Sequence, residues 1–160
     1  MEHAEEKTFH LLEDVIFLKK TPLFSSMQTS ELRALATIAE EHSFESGKEI
    51  VREDDVGDSL YIIKNGSVNI LKKIDETNTV KLAELSQGDC FGEMALFDAE
   101  VRSASVYAKE PCVLLCIKSD DLNDLLLDYP TIAIEFIKIF VKRLRKANKT
   151  IEKLSSDNQE

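Results

Sequence analysis

The stretch from Gln87 to Ala108, QGDCFGEMALFDAEVRSASVYA, constrains this chain more than any other. A turn at Gly88-Asp89 leads to Phe91-Gly92, then to the short helix-like run Glu93-Met94-Ala95-Leu96. After a polar hairpin, Arg102-Ser103 stands at the mouth of a strand. Glycine lets backbone approach a ligand closely, and the N–H groups that open a helical turn point outward as donors for an anion. Arg102 adds a planar, permanently charged fork aimed at the same anion. Glu93 is the odd member, because a carboxylate beside a phosphate repels it unless it serves a neighbouring group. A ribose 2′-OH is such a group, as in dinucleotide sites. The segment therefore reads as a pocket for a sugar next to a phosphate. The alternative is a glycine-rich barrel corner in which Glu93 and Arg102 form an incidental surface ion pair.

The flanking sequence predicts a small β structure closed by helices. From Phe44 onward, SLYIIK, SVNILKK, TVKLAEL, ASVYA and VLLCI are short strand-like runs divided by glycine or charged turns. Many short strands with turns between them indicate a barrel or jelly roll rather than a parallel sheet. Before the strands, Phe9, Leu12 and Ile16 recur at helical spacing from about Ala4 to Lys20, and a second helix begins near Thr29-Ser30 with Leu32, Leu35, Ala36 and Ala39 on one face. Both are read as packing helices. After the strands, Ser119 caps a helix that stops before Pro130, and Pro130 opens the longest helix, running to about Ser155.

The run FGEMALFDAEVRSASV closely resembles the phosphate-binding cassette of cyclic nucleotide-binding domains, and the similarity extends from about Leu23 to about Leu154. The resemblance implies an α+β fold: an eight-stranded jelly-roll β-barrel, or double-stranded β-helix, flanked by N-terminal helices and a long C-terminal helix. It divides the chain into an N-terminal helix over 1–22, a nucleotide-binding β-roll over 23–129 with its cassette at 87–108, and a lid and dimerisation helix over 130–160. Carried over position by position, it assigns Gly92 and Glu93 to the ribose and Met94, Ala95, Arg102 and Ser103 to the cyclic phosphate, with Phe91 beside them. Ile70 and Leu82, on barrel strands, become apolar walls for base and ribose. Asn148, on the C-terminal helix, falls where bacterial members place a hydroxyl residue that contacts adenine; an amide can serve an adenine edge or, reversed, a guanine edge. The ligand implied is cAMP, because cassette and helix lie nearest the bacterial cAMP regulators, with cGMP kept open by Ser103. Cofactors and metals are not implied.

Composition narrows the partners. A net charge of −10 and a pI near 4.8 argue against nucleic acid or an anionic membrane as the main partner, since both need a basic footprint. The pocket must then make its own positive field. Three cysteines, Cys90, Cys112 and Cys116, lie in apolar sequence and read as buried free thiols rather than a disulfide framework or metal site. No apolar run reaches the ~18 residues of a membrane span and MEHAEEK is no signal peptide, so a cytoplasmic location is expected. Catalysis finds no support. His3, His10 and His42 lie far from any Ser or Cys constellation, and no GxxxxGK[ST] is present. Glu93 is accordingly read as a recognition group.

On the long helix, Ile137, Phe140, Leu144, Ala147, Ile151 and Leu154 alternate in steps of three and four. This heptad seam predicts a parallel homodimer through the C-terminal helix. The helix ends without room for a helix-turn-helix reader, which suggests either a sensor that signals to a downstream protein partner or a domain of a longer chain. Two functions remain: a cyclic nucleotide sensor signalling through its C-terminal helix, and an interaction module that keeps the barrel without binding nucleotide. Intact Glu93 and Arg102 favour the first.

Overall fold

The computed structural model describes residues 2–98 and 101–157. Its strands form two antiparallel sheets, each four-stranded, with the orders β1-β8-β3-β6 and β2-β7-β4-β5. The elements are α1 (Glu2–Lys20), α2 (Thr29–Ile38), β1 (Glu40–Phe44), β2 (Glu49–Val51), β3 (Ser59–Asn65), β4 (Ser67–Lys73), β5 (Thr79–Ser86), β6 (Cys90–Phe91), the 3₁₀ turn η1 (Glu93–Leu96), β7 (Ser105–Ala108), β8 (Cys112–Lys118), α3 (Ser119–Asp128) and α4 (Pro130–Asp157). This is the jelly roll with flanking helices that the sequence predicts.

Side-chain alternation along β3 and β8 explains the layering. Successive residues of a strand point to opposite faces. Leu60 and Ile62 on β3, with Leu115 and Ile117 on β8, face a helical layer containing Leu18, Phe24, Leu32, Leu35, Leu122, Ile132 and Phe136. Ile63, Cys112 and Leu114 face the opposite way, into the space between the sheets, where they meet Val68, Phe91, Val106 and Ala108. Both strands are buried on both sides, which is why they read as nearly unbroken apolar runs.

Two helical details differ from the sequence reading. On α1 the residues packed against the body are Leu11, Val15 and Leu18, whereas Phe9, Leu12 and Ile16 are exposed. The two stripes interleave on one helix, and the stripe that ends on Leu18 is the one that joins the buried cluster. At the start of α3 it is Lys118 that holds the cap position, without a side-chain cap bond, and Ser119 instead donates its backbone N–H to the Asp58 carbonyl at 2.7 Å. Asp54 takes φ 68, in the left-handed region that Asp tolerates better than most residues. Among the described residues no helix is long and apolar enough to cross a membrane. All three cysteines are buried free thiols.

Candidate functional site

Backbone geometry sets Arg102 in place before its side chain acts. Its N–H donates to the Asp55 carbonyl at 2.7 Å, its own carbonyl accepts from Asp54 N–H at 2.9 Å, and Val56 bridges Val101 next door. The REDDVGD loop is thus a clamp on the segment that carries the arginine. From there the side chain runs between two glycines. A Cβ on Gly57 would overlap Arg102 Nε, and one on Gly92 would overlap Arg102 Nη1 and stand 2.6 Å from the Ser59 carbonyl oxygen. Nη2 donates to that same carbonyl at 2.9 Å. No carboxylate among the described residues pairs with Arg102. The surface ion pair between Glu93 and Arg102 is therefore not the arrangement the chain adopts.

The cassette itself turns on Gly92, whose φ of 80 lies in the region that glycine enters without steric cost. Just before it, Phe91 stacks on Tyr61 with ring centroids 5.1 Å apart, fixing where the turn departs from the sheet. Just after it, η1 buries Ala95 and Leu96 and leaves Met94 exposed at the rim.

These elements enclose a cavity of about 460 Å³, within the range of small-ligand sites. Ile70, Phe91, Gly92, Glu93, Met94, Ala95, Arg102 and Ser103 all line it, so most of the predicted residues come together. Leu82 and Asn148 do not. Leu82 is exposed because β4 and β5 shift register between Ile70 and Leu71, pairing Ile70 with Ala83 and Leu71 with Lys81. The extra residue in β5 is Leu82, a bulge that breaks the alternation and leaves Leu85 as the β5 side chain facing the cavity. Asn148 is exposed on α4, more than a turn beyond the helix residue that does reach the cavity.

That residue is Arg143, which sequence reasoning passed over. Its Nη1 lies 2.5 Å from Glu93 Oε1, and its Nη2 donates to Cys90 Sγ at 2.8 Å. Burial pushes the Cys90 thiol up to about 11 against the opposing pull of Arg143, so near neutral pH it is a protonated, weak acceptor. A signal for Arg143 existed in the spacing: Phe136, Ile139, Phe140 and Arg143 share the face of α4 turned to the body. Phe140 is half-buried there, in a ring cluster with Phe97 and Phe136 at 5.8 and 6.3 Å. It therefore leaves the predicted dimer seam. Phe97 follows η1 directly, so α4 is fastened to the cassette by aromatic packing on one side and by an ion pair on the other.

Chemically, the cavity offers a guanidinium with donors to spare, a carboxylate already engaged by a second guanidinium, and apolar walls from Val51, Ile70, Leu85 and Val106. It can hold an anion bonded to a hydroxylated, partly apolar body.

The profile of the family described as cyclic nucleotide-binding domain matches residues 41–129. The chain is 30% identical over 138 residues to the cyclic AMP receptor protein of Thermus thermophilus, an alignment covering 86% of this chain and 64% of the relative. It is 33% identical over 98 residues to the cGMP-dependent protein kinase egl-4 of Caenorhabditis elegans, covering 61% of this chain and 13% of the kinase. Both relatives extend well beyond the part that is matched. Among solved structures, the N-terminal domain of a transcriptional regulator from Streptomyces coelicolor A3(2) superposes with a TM-score of 0.75 at 27% identity, covering 84% of this chain and 94% of that one.

Proposed function

This chain belongs to the cyclic nucleotide-binding domain family, and from that membership we propose that it is a sensor of a 3′,5′-cyclic purine nucleotide that passes the binding event on through α4. The family is a regulatory binding domain, so the output is a change of shape or partner rather than a reaction. One observation carries the proposal: Arg102, which pairs with no carboxylate among the described residues, and Glu93 line a single cavity of ligand size. In this reading the cyclic phosphate meets Arg102 and the first residues of η1, the ribose 2′-OH meets Glu93, and the base lies along Ile70, Leu85 and Val106. Residues 23–129 hold the ligand, and residues 130–160 carry the response to a second copy or a downstream protein.

The preferred ligand is cAMP, since the relative aligned over most of this chain is named for cyclic AMP. A cGMP reading has its own support, from the kinase relative named for that nucleotide and from the Ser103 hydroxyl in the cavity beside Arg102. Calorimetric titration with cAMP and cGMP under the same conditions tests both. Saturable binding with cAMP the tighter ligand is the expected result. Tighter cGMP binding reverses the preference, and no heat with either sinks the sensor reading.

Signalling through α4 follows from the shared carboxylate. Glu93 touches α4 through Arg143 and, when a nucleotide binds, the ribose as well, so ligand and helix act on one side chain. A ligand shifts a conformational equilibrium only through differential contacts, and this pair supplies one. Arg143→Ala is expected to weaken binding less than loss of Arg102 would, yet to blunt the ligand-dependent change in hydrogen exchange across Phe136 to Leu154. A variant whose α4 still responds as wild type does would show that the helix is coupled by another route. The homodimer is likewise proposed through α4, whose outer face is apolar.

A further inference from the structure

We infer that Asn148 sets how α4 pairs with the α4 of a second copy, fixing a parallel, in-register, two-stranded arrangement; the inference rests on the homodimer proposed above and reassigns Asn148 from the base to the seam. The faces of α4 are defined by what they touch. Ile132, Phe136 and Ile139 are buried against the body, and Arg143 enters the cavity. Turned away from them, Ile134, Ile137, Val141, Leu144 and Ile151 are 52, 59, 42, 62 and 61% exposed. Their steps are three and four residues, with one gap between Leu144 and Ile151, and the residue that completes the pattern in that gap is Asn148. It too is exposed.

Written as a heptad, Ile134, Val141 and Asn148 occupy the a position, and Ile137, Leu144 and Ile151 the d position. The seam is thus out of phase with the Phe140-Ala147-Leu154 pattern legible in sequence, because the body claims Phe140. With isoleucine at two of the three d positions as well as β-branched residues at a, the apolar layers alone lean toward bundles of more than two strands, and it is the lone asparagine at a that specifies register and oligomer state. From Ile134 to Ile151 the seam runs about 26 Å along the helix.

Charge placement makes an identical helix the fitting occupant. No seam residue is charged, and the g flank of Ala133, Phe140, Ala147 and Leu154 is uncharged as well. Lys142, Lys146, Lys149 and Lys153 lie at b and f, off the contact. In a parallel alignment Lys138, Arg145 and Glu152, at e, face uncharged g residues of the second copy, so no like charges meet. Only in-register pairing with the same sequence then brings an amide opposite Asn148, where each offers the other a donor and an acceptor. A parallel pair slipped by one heptad would set the amide against Val141, and an antiparallel pair would set it against a d side chain, each leaving it unsatisfied.

The test is sedimentation equilibrium on wild type, Asn148→Ile and Leu144→Asp, with oxidative cross-linking of Ile151→Cys and nucleotide titration of each. Wild type is expected at twice 18.1 kDa, with efficient Ile151→Cys cross-linking because d residues face each other only in the parallel pair. Asn148→Ile should associate more tightly, lose its single mass to species beyond the dimer, and keep its nucleotide affinity. Leu144→Asp, which changes an exposed residue, should be a folded monomer. An Asn148→Ile protein that stays a dimer with unchanged cross-linking overturns the register role. So does one whose mass is unchanged while its affinity for cAMP falls tenfold, which returns Asn148 to the ligand. A wild type that is monomeric at high concentration overturns the homodimer itself and this inference with it.

Discussion

Arg102→Ala is expected to lower affinity for a cyclic nucleotide on the order of a hundredfold, the scale of losing charge-assisted hydrogen bonds in a largely desolvated site. The reason lies in how little else in the cavity can hold a phosphate. Arg143 is the other guanidinium lining it, and that one is occupied by Glu93 and Cys90. Asp89 and Asp98 also line the cavity and oppose an anion. Arg102 belongs to neither apolar cluster, so the fold should survive its loss. Arg102→Lys should restore only part of the affinity, because an ammonium on a flexible stem cannot reproduce a fork held against the Ser59 carbonyl. Calorimetry with cAMP on the three proteins decides the matter: alanine binding within a fewfold of wild type would place the phosphate elsewhere.

The features that sequence made legible are those set by neighbours along the chain. Gly92, Glu93 and Arg102 belong to one contiguous cassette, so their spacing already contained the pocket. β3 and β8 were legible because burial on both faces leaves an unbroken apolar run, whereas β1, EEHSF, is mostly exposed and β6 is only Cys90 and Phe91, so neither carries a pattern to find. The features that escaped depend on contacts between distant segments. Leu82 turns outward through a bulge that needs β4 beside it. Phe9, Leu12 and Ile16 form as regular a stripe as Leu11, Val15 and Leu18, and only the body of the protein chooses between them. Arg143 meets Glu93 from fifty positions further along the chain, and Phe140 leaves the seam because Phe97 and Phe136 are waiting for it.

Placing a methyl group at Gly57 or at Gly92 is expected to damage the same site by two separable routes. At Gly57 the backbone is not in the left-handed region, and the added Cβ collides only with the Arg102 side chain, at Nε, Cζ and Cδ. A flexible side chain can move aside at little cost in stability, yet moving this one withdraws the phosphate donor. Gly57→Ala should therefore melt within a few degrees of wild type while losing a large part of its nucleotide affinity, approaching Arg102→Ala. At Gly92 the φ of 80 strains any L residue by about 1–2 kcal/mol, and the Cβ also meets the Ser59 carbonyl oxygen, which cannot move without the strand that carries it. Gly92→Ala should lose affinity and stability together, with a melting temperature lower by about 3–8 °C for a chain of this size. Paired melting curves and titrations separate the routes. The two-glycine passage for Arg102 fails as an explanation if Gly57→Ala binds cAMP as wild type does, because the space its methyl needs is the space in which the guanidinium stem lies.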